Sequence, residues 1–236
     1  MSLRPEELGT ILSVWAHPDD EAYTCGSTMA RAIANGQRVV CVTATRGELG
    51  SDTIPPEELA QIRSDELVEA LAILGVKEHH WLDYPDGGCG ALEPAEPVAR
   101  LIELIESVRP DTILGFGPDG GTWHTDHIAT YAWTCAALAQ SSLEARHLCA
   151  TNSPAKFGQM LARIPREMLM MDDREPVLYE PSECALYVIA DGEDLALKER
   201  ALDAQPSQTA GLKALVGREA YLSAISEEAF VNASRK

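Results

Sequence analysis

Short apolar runs alternate with longer amphipathic stretches along the first part of the chain. "ILSVWA" and "QRVVCVTAT" are typical of buried strands, and helical patterns follow over residues 26–35 and 57–74. Gly75 provides the stop signal of the second helix. The strand-like runs "KEHHWLDY" and "DTILGFG" are followed by helical patterns over 96–108 and 127–140. This repeated strand–helix order predicts an α/β, Rossmann-like fold: a mostly parallel sheet with helices on both faces.

The pattern weakens after residue 140. "RHLCATN", "CALYVIA" and "EAFVNAS" are predicted strands, and "DGEDLALKERALDA" and "SQTAGLKALVGREAYLSAI" are predicted helical regions. Residues 153–181 are methionine-rich and fit a substrate lid, an oligomer contact or plain core. Since no linker or internal repeat interrupts the chain, we expect one domain over 1–236. Its core, 1–140, would hold the functional site, and 141–236 would form a C-terminal subregion that completes the fold.

Composition narrows the class of partner. The formal net charge is −18, which disfavours binding to nucleic acid and to anionic membranes. Six cysteines are scattered without a CxxC pair, which favours reduced thiols in a cytoplasmic protein. No apolar run reaches the ~20 residues of a membrane helix. We therefore expect a cytoplasmic protein that acts on a small molecule, with a homo-oligomer as one option.

The polar loops lie where a ligand is expected. Ligands of parallel sheets bind at the carboxyl ends of the strands, and there this chain has "AHPDDE", "TRGELG", "DYPDGG" and "GPDGGTWHTDH". The first loop carries His17, Asp19, Asp20 and Glu21 in place of phosphate-binding glycines, so a nucleotide site is disfavoured. Helix capping explains one or two of these acids. An imidazole beside carboxylates at a strand end favours a divalent cation.

A second histidine-rich loop supplies the remaining ligands. His124 and His127 are three residues apart where a helix begins, so both can face the same point. Together with His17 and Asp20 they predict a metal site. The spacing leaves open which of the two histidines binds the metal.

"AHPDDE" followed by "HTDH", with "TATRGELG", "LGV" and "KERALDAQPSQ" in order, resembles the PIG-L/LmbE family of zinc-dependent de-N-acetylases. The resemblance implies that His17, Asp20 and His127 bind one zinc ion per chain, with ferrous iron as the alternative. It also implies that Asp19 is the general base and that His124 stabilises the oxyanion or protonates the leaving amine. The expected reaction is removal of an acetyl group from an N-acetylglucosamine-type substrate.

Two further residues are candidates near these loops. Asp126, between the two histidines, either orients one of them or caps the following helix. Arg46 is a candidate for binding substrate hydroxyls or a phosphate, with Glu48 as its partner; an exposed surface pair is the alternative.

Other polar residues carry weaker expectations. Asp86 fits a Pro-Asp-Gly turn, and Arg63 with Glu66 fits a solvated pair on a helix. Trp123 either stacks on a sugar or anchors the loop. Gln205 in "AQPSQ" stands where members of the family often have histidine, so substrate preference is expected to differ there.

Three other functions remain open at this point. The same centre would serve an amidase that acts on a thiol conjugate or another larger amide. A sugar-binding protein that retains the metal without turnover is expected to lack Asp19 or His124, and both are present. A two-metal phosphohydrolase would have to recruit Glu48 and Asp86 as further ligands, and the number of metal ions per chain would identify it.

Overall fold

The computed structural model describes residues 2–233, and its centre is a seven-stranded sheet in the order β3-β2-β1-β4-β5-β7-β6. The strands are β1 Ile11–Trp15, β2 Val39–Thr45, β3 Glu78–Tyr84, β4 Thr112–Gly115, β5 Arg146–Thr151, β6 Leu186–Ile189 and β7 Glu227–Asn232. Strands β1 to β5 are parallel to one another, and β7 runs antiparallel to β5 and β6. The predicted mostly parallel α/β sheet is confirmed.

Helices cover both faces of the sheet, as the sequence predicts. They are α1 Asp20–Ala34, α2 Pro56–Leu74, α3 Ala95–Val108, α4 Thr125–Gln140, α5 Pro154–Leu161, α6 Gly192–Asp203, α7 Pro206–Val216 and α8 Arg218–Ile225. Met29 and Leu67 belong to a core on one face, and Ile105 and Trp133 belong to a second core on the other. No helix within residues 2–233 combines the length and the apolar character that a membrane span requires.

Helix α1 begins six residues before the predicted start. Its first turn contains Asp20 and Glu21, which lack the apolar period that identifies a helix in a sequence. Acidic residues are nevertheless favoured there because the helix dipole is positive at its N-terminus. The acidic loop after β1 and the start of α1 are therefore one continuous structure.

The C-terminal residues join the same sheet, and the buried carboxylate of Glu228 ties them to α6 and α1. Lys198 Nζ lies 2.7 Å from Glu228 Oε1, and both side chains are fully buried. The Glu228 carboxylate also accepts hydrogen bonds from the backbone N–H groups of Ser27 and Thr28, each at 2.8 Å. Helices α1 and α6 and strand β7 thus meet at one carboxylate.

The strand order reverses between β1 and β4, which are neighbours in space although β2 and β3 separate them along the chain. In open α/β sheets such a reversal leaves a crevice at the carboxyl ends of the strands, and ligands bind in it. The loops that leave β1 and β4 contain the acidic segment and the two histidines that the sequence analysis identified.

Candidate active site

The loop between β1 and α1 turns sharply and folds its side chains back on the strand end. Asp19 has a left-handed backbone with φ 97°, which is unfavourable for a residue other than glycine. Its N–H donates to Glu21 Oε2 at 3.0 Å, and the N–H of His17 donates to Asp20 Oδ2 at 2.8 Å. These two hydrogen bonds hold the turn in place and fix the directions of the Asp20 and Glu21 carboxylates.

The loop between β4 and α4 places His127 by close packing. Gly120 has φ 61°, and a Cβ there would lie 2.6 Å from the Cβ of His127, so glycine is required. The carbonyl of Gly120 accepts a hydrogen bond from His127 Nδ1 at 2.9 Å, and the imidazole stacks on Phe116. Since Nδ1 carries the proton, the lone pair of Nε2 is free to bind a metal.

One ring nitrogen of His17, one of His127 and the carboxylate of Asp20 lie close together. His17 Nδ1 and His127 Nε2 are 3.2 Å apart, and the Asp20 oxygens lie 3.6 and 3.5 Å from these nitrogens. Nitrogen and oxygen ligands at ~2.0–2.1 Å from zinc in a tetrahedral site are ~3.3–3.4 Å from one another. Both the donor types and the spacing of this triad therefore fit zinc.

Two other groups of side chains in the described residues have metal-like spacing. One combines His17 and His127 with His124, and the other combines His17 with Asp86 and Asp126. His124 Nδ1 accepts the N–H of Asp126 at 3.2 Å, so Nε2 carries the N–H of the neutral ring. The His124 ring lies 4.7 Å from that of His17, where this N–H can serve as a donor beside the triad.

The far side of the His17 ring faces two carboxylates. Its Nε2 lies 3.0 Å from Asp86 and 3.4 Å from Asp126. The Asp126 carboxylate also accepts the N–H groups of Gly87, at 2.7 Å, and Cys89, at 3.1 Å. Carboxylates in this position orient metal-binding imidazoles. The Asp126 carboxylate therefore contacts His17, which does not flank it in the sequence, and Asp86 contacts the same ring from its turn.

Burial and charge shift the pKa of each residue in the triad. Burial opposes a positive charge on His17, but hydrogen bonds to Asp126, Asp20 and Asp86 hold its pKa well above the ordinary value. Burial would raise the pKa of Asp20, yet His127 and His17 lower it to about 2. Burial lowers the pKa of His127 to about 4, which keeps this imidazole neutral, as a ligand must be. An ionised Asp20 beside a neutral His127 favours the binding of a cation at the triad.

Asp19 is held by an arginine that the sequence analysis assigned to solvent. Arg63 is only 5% exposed; it donates to the carbonyls of Gly47 at 2.8 Å and Pro18 at 2.5 Å and lies 3.4 Å from Asp19 Oδ2. Burial raises the pKa of Asp19 to about 7 although Arg63 lowers it. The expected solvated pair with Glu66 is wrong, because that carboxylate accepts from Ser207.

A glutamine from the C-terminal half completes this support. Gln205 Nε2 donates to Glu21 Oε1 at 2.9 Å, and the other oxygen of Glu21 accepts the N–H of Asp19. Gln205 and Glu21 are almost fully buried, and burial raises the pKa of Glu21 to about 8. The glutamine that departs from the family pattern therefore contacts the turn of Asp19 through one intervening side chain.

The structure does not bring Arg46 into this cluster. Its guanidinium donates to Asp83 at 2.9 Å and to Ser64 at 2.9 Å, and it lies 4.0 Å above the ring of Trp81. Glu48, its expected partner, accepts the N–H of Asp86 instead. Arg46 packs on a neighbouring strand because Asp83 and Trp81 offer charge and an aromatic face.

Trp123 anchors the loop to a later segment. Its Nε1 donates to the carbonyl of Glu175 at 3.1 Å, and the guanidinium of Arg174 lies 3.8 Å from its ring. Of the two interpretations that the sequence allows, the structure shows the packing anchor.

Comparisons with known proteins show the family of the chain. The family model described as PIG-L, GlcNAc-PI de-N-acetylase, matches residues 12–138. A 1D-myo-inositol 2-acetamido-2-deoxy-alpha-D-glucopyranoside deacetylase of Kineococcus radiotolerans is 38% identical over 160 residues, which cover 54% of this chain and 44% of that protein. A second protein with this name, deacetylase 2 of Catenulispora acidiphila, is 32% identical over 241 residues, which cover 84% of this chain and 79% of that protein.

The fold has solved counterparts. The conserved protein TT1542 from Thermus thermophilus superposes with a TM-score of 0.66 at 26% identity, covering 95% of this chain and 94% of that one. The share of each curated relative that the alignment covers differs. It is less than half for the Kineococcus protein and 79% for the Catenulispora protein.

Proposed function

The chain belongs to the PIG-L family of GlcNAc-PI de-N-acetylases, and on that premise we propose that it is a metal-dependent hydrolase that removes the acetyl group of an N-acetylglucosamine-type substrate. One observation carries the proposal: two imidazole nitrogens and a carboxylate meet with 3.2–3.6 Å between ligand atoms, directly beside Asp19. The products would be acetate and a free amine.

His17, Asp20 and His127 would hold the metal, with zinc as the expected ion and ferrous iron as the alternative. When bound, zinc acts as a Lewis acid and lowers the pKa of a coordinated water toward ~7. Asp86 and Asp126 hold the ring of His17 from behind, so that Nδ1 faces the metal position.

Asp19 accepts the proton of the attacking water. The carboxyl then returns this proton to the departing nitrogen, because an amide anion is too poor a leaving group to depart unprotonated. Arg63 and Glu21 keep its carboxylate and backbone in position throughout. The proton that Asp19 gains in the first step is the one that it loses in the second, so the residue is regenerated.

His124 donates from Nε2. Its N–H would stabilise the oxyanion that develops on the carbonyl oxygen, or it would protonate the leaving amine in place of Asp19. The Asp126 N–H fixes this tautomer by occupying Nδ1.

We further propose a cytoplasmic location, which six free cysteines favour.

The experiment that tests this function is release of primary amine from a panel of N-acetylglucosaminides. The protein is assayed as purified, after chelation, and after chelation with zinc or ferrous iron restored. We expect release that disappears on chelation and returns with the metal. A protein that holds one metal ion per chain and releases no amine from any member of the panel would contradict the proposal.

A further inference from the structure

A cavity of about 310 Å³ lies beside the triad and includes Asp20 and His127 in its wall. The rest of the wall comes from strands β5 and β7, helices α1, α5, α7 and α8, the loop after β4 and the segment around residues 164–170. Its apolar members include Phe116, Phe157, Met160, Ile164, Met168 and Met170. The methionine-rich segment, for which the sequence allows three interpretations, thus lines a cavity next to the proposed ligands.

Several polar groups of this wall already have partners within the protein. The Lys156 ammonium donates to the carbonyl of Glu227 at 2.9 Å, and the hydroxyls of Tyr23 and Tyr221 bond to each other at 3.0 Å. Hydroxyl groups of a ligand that face these paired groups or the apolar side chains would find no new partner, which is unfavourable. A hydrocarbon loses no hydrogen bond there and gains apolar contacts. The polar wall members Gln159 and Arg163 are exposed, so they lie at the rim of the cavity.

The cavity is also larger than the expected reaction needs. Ligand sites of small molecules have volumes of about 300–1,000 Å³, and this one is within that range. The methyl group of an acetyl fills only a small part of it. With the sugar ring of the substrate outside the apolar wall, the remaining volume is space for an additional group on the substrate.

The wall is fixed to the loop that carries the histidines. The N–H of Met171 donates to the carbonyl of Thr122 at 2.9 Å, and the N–H of Val177 donates to Asp119 at 2.7 Å. Trp123 adds its hydrogen bond to Glu175. A chain that fills the cavity would therefore be positioned relative to His124 and His127.

We propose that this cavity binds a hydrocarbon chain of the substrate, so that the preferred substrate is an N-acylated amino sugar with an apolar chain. This inference rests on the proposed function and deepens it. Two sources of the chain share this chemistry: an acyl group longer than acetyl, and an alkyl aglycone on an N-acetylated sugar. In both, the chain extends from the position next to Asp20 and His127 into the apolar wall.

Two substrate series distinguish the sources. One varies the N-acyl group of glucosamine from two to eight carbons, and the other varies the alkyl aglycone of N-acetylglucosamine over the same range. Amine release gives kcat/KM, and calorimetry with matched N-alkyl analogues, which cannot be hydrolysed, gives Kd. We expect a gain of about fourfold per methylene in one series, until the cavity is filled.

The variant Met160→Gln keeps the length of the side chain and adds polarity to the wall. It should reduce the gain per methylene, both in kcat/KM and in the affinity of the N-alkyl analogues. Met171→Gln is the matched control, because Met171 belongs to the same segment, is 58% exposed and is absent from the wall. This control should retain the wild-type dependence on chain length.

The outcomes separate this inference from the proposed function. Analogue affinity and kcat/KM that do not change with chain length overturn the cavity assignment, even if N-acetylglucosaminides are hydrolysed. Affinity that rises with chain length and falls in Met160→Gln supports it, even if no substrate releases amine. In that last case the proposed reaction fails while the binding site stands.

Discussion

Replacement of Asp19 by asparagine removes the proposed base with little change to the backbone. Asp19 has φ 97°, and asparagine tolerates left-handed conformations better than alanine does. The amide oxygen can still face Arg63, and the N–H of residue 19 can still donate to Glu21. Asp19→Asn therefore tests proton transfer, whereas Asp19→Ala would add backbone strain to the loss of the carboxylate.

The expected loss follows from the two proton transfers assigned to this carboxyl. General acid–base catalysis contributes about 10²- to 10⁴-fold, and each factor of ten corresponds to about 1.4 kcal/mol. We expect kcat/KM to fall by at least about 10²-fold, an increase in activation free energy of about 3 kcal/mol. Bound metal should remain at the wild-type level because Asp19 is outside the triad of His17, Asp20 and His127.

The assay combines amine-release kinetics with metal content measured by mass spectrometry on the same preparation. Asp83→Asn is the matched control: Asp83 also has a positive φ, 56°, but its exposed carboxylate pairs with Arg46. This control should keep wild-type kcat/KM. An Asp19→Asn protein with full metal and more than a tenth of wild-type kcat/KM would refute the assignment of the base.

Three further experiments test the ligands, their support and the core. His127→Ala should lower the metal bound per chain while His124→Ala should not; the reverse result would identify His124 as the ligand. Asp126→Asn should weaken metal affinity by about 10- to 100-fold, measured by competition with a chelator, and unchanged affinity would contradict its orienting role. Lys198→Met should lower the free energy of unfolding by about 3–5 kcal/mol in urea, because it leaves Glu228 buried and unpaired. The double variant with Glu228→Gln should regain part of this loss, and no recovery would argue against the ion pair.

The strand–helix repeats could be predicted because they depend on local periodicity. β1 and β2 are continuously buried and mostly apolar. Helix α2 ends at Leu74, and Gly75, with φ 84°, is the left-handed stop that glycine provides. The position of the polar loops followed from parallel topology alone. The early start of α1 did not follow, since its first turn is acidic and has no apolar period.

The contacts of single side chains depended on tertiary packing. Arg63 lies four residues from Leu59 and from Leu67, which are fully buried, and this spacing was the signal that could have placed it on the core face of α2. Asp126 turns toward His17 because backbone N–H groups of a distant loop hold its carboxylate. No spacing within "HTDH" contains that information.

The proposed metal ligands lie in one part of the chain, and Gln205 with most of the cavity wall lies in another. The family model ends at residue 138, and all three proposed metal ligands precede that point. The support of Glu21 by Gln205 and most of the cavity wall come after it. Mutations in the second half can therefore alter which molecules bind without moving a metal ligand. If the cavity binds substrate as proposed, new specificities can evolve in its wall while the three proposed metal ligands stay unchanged.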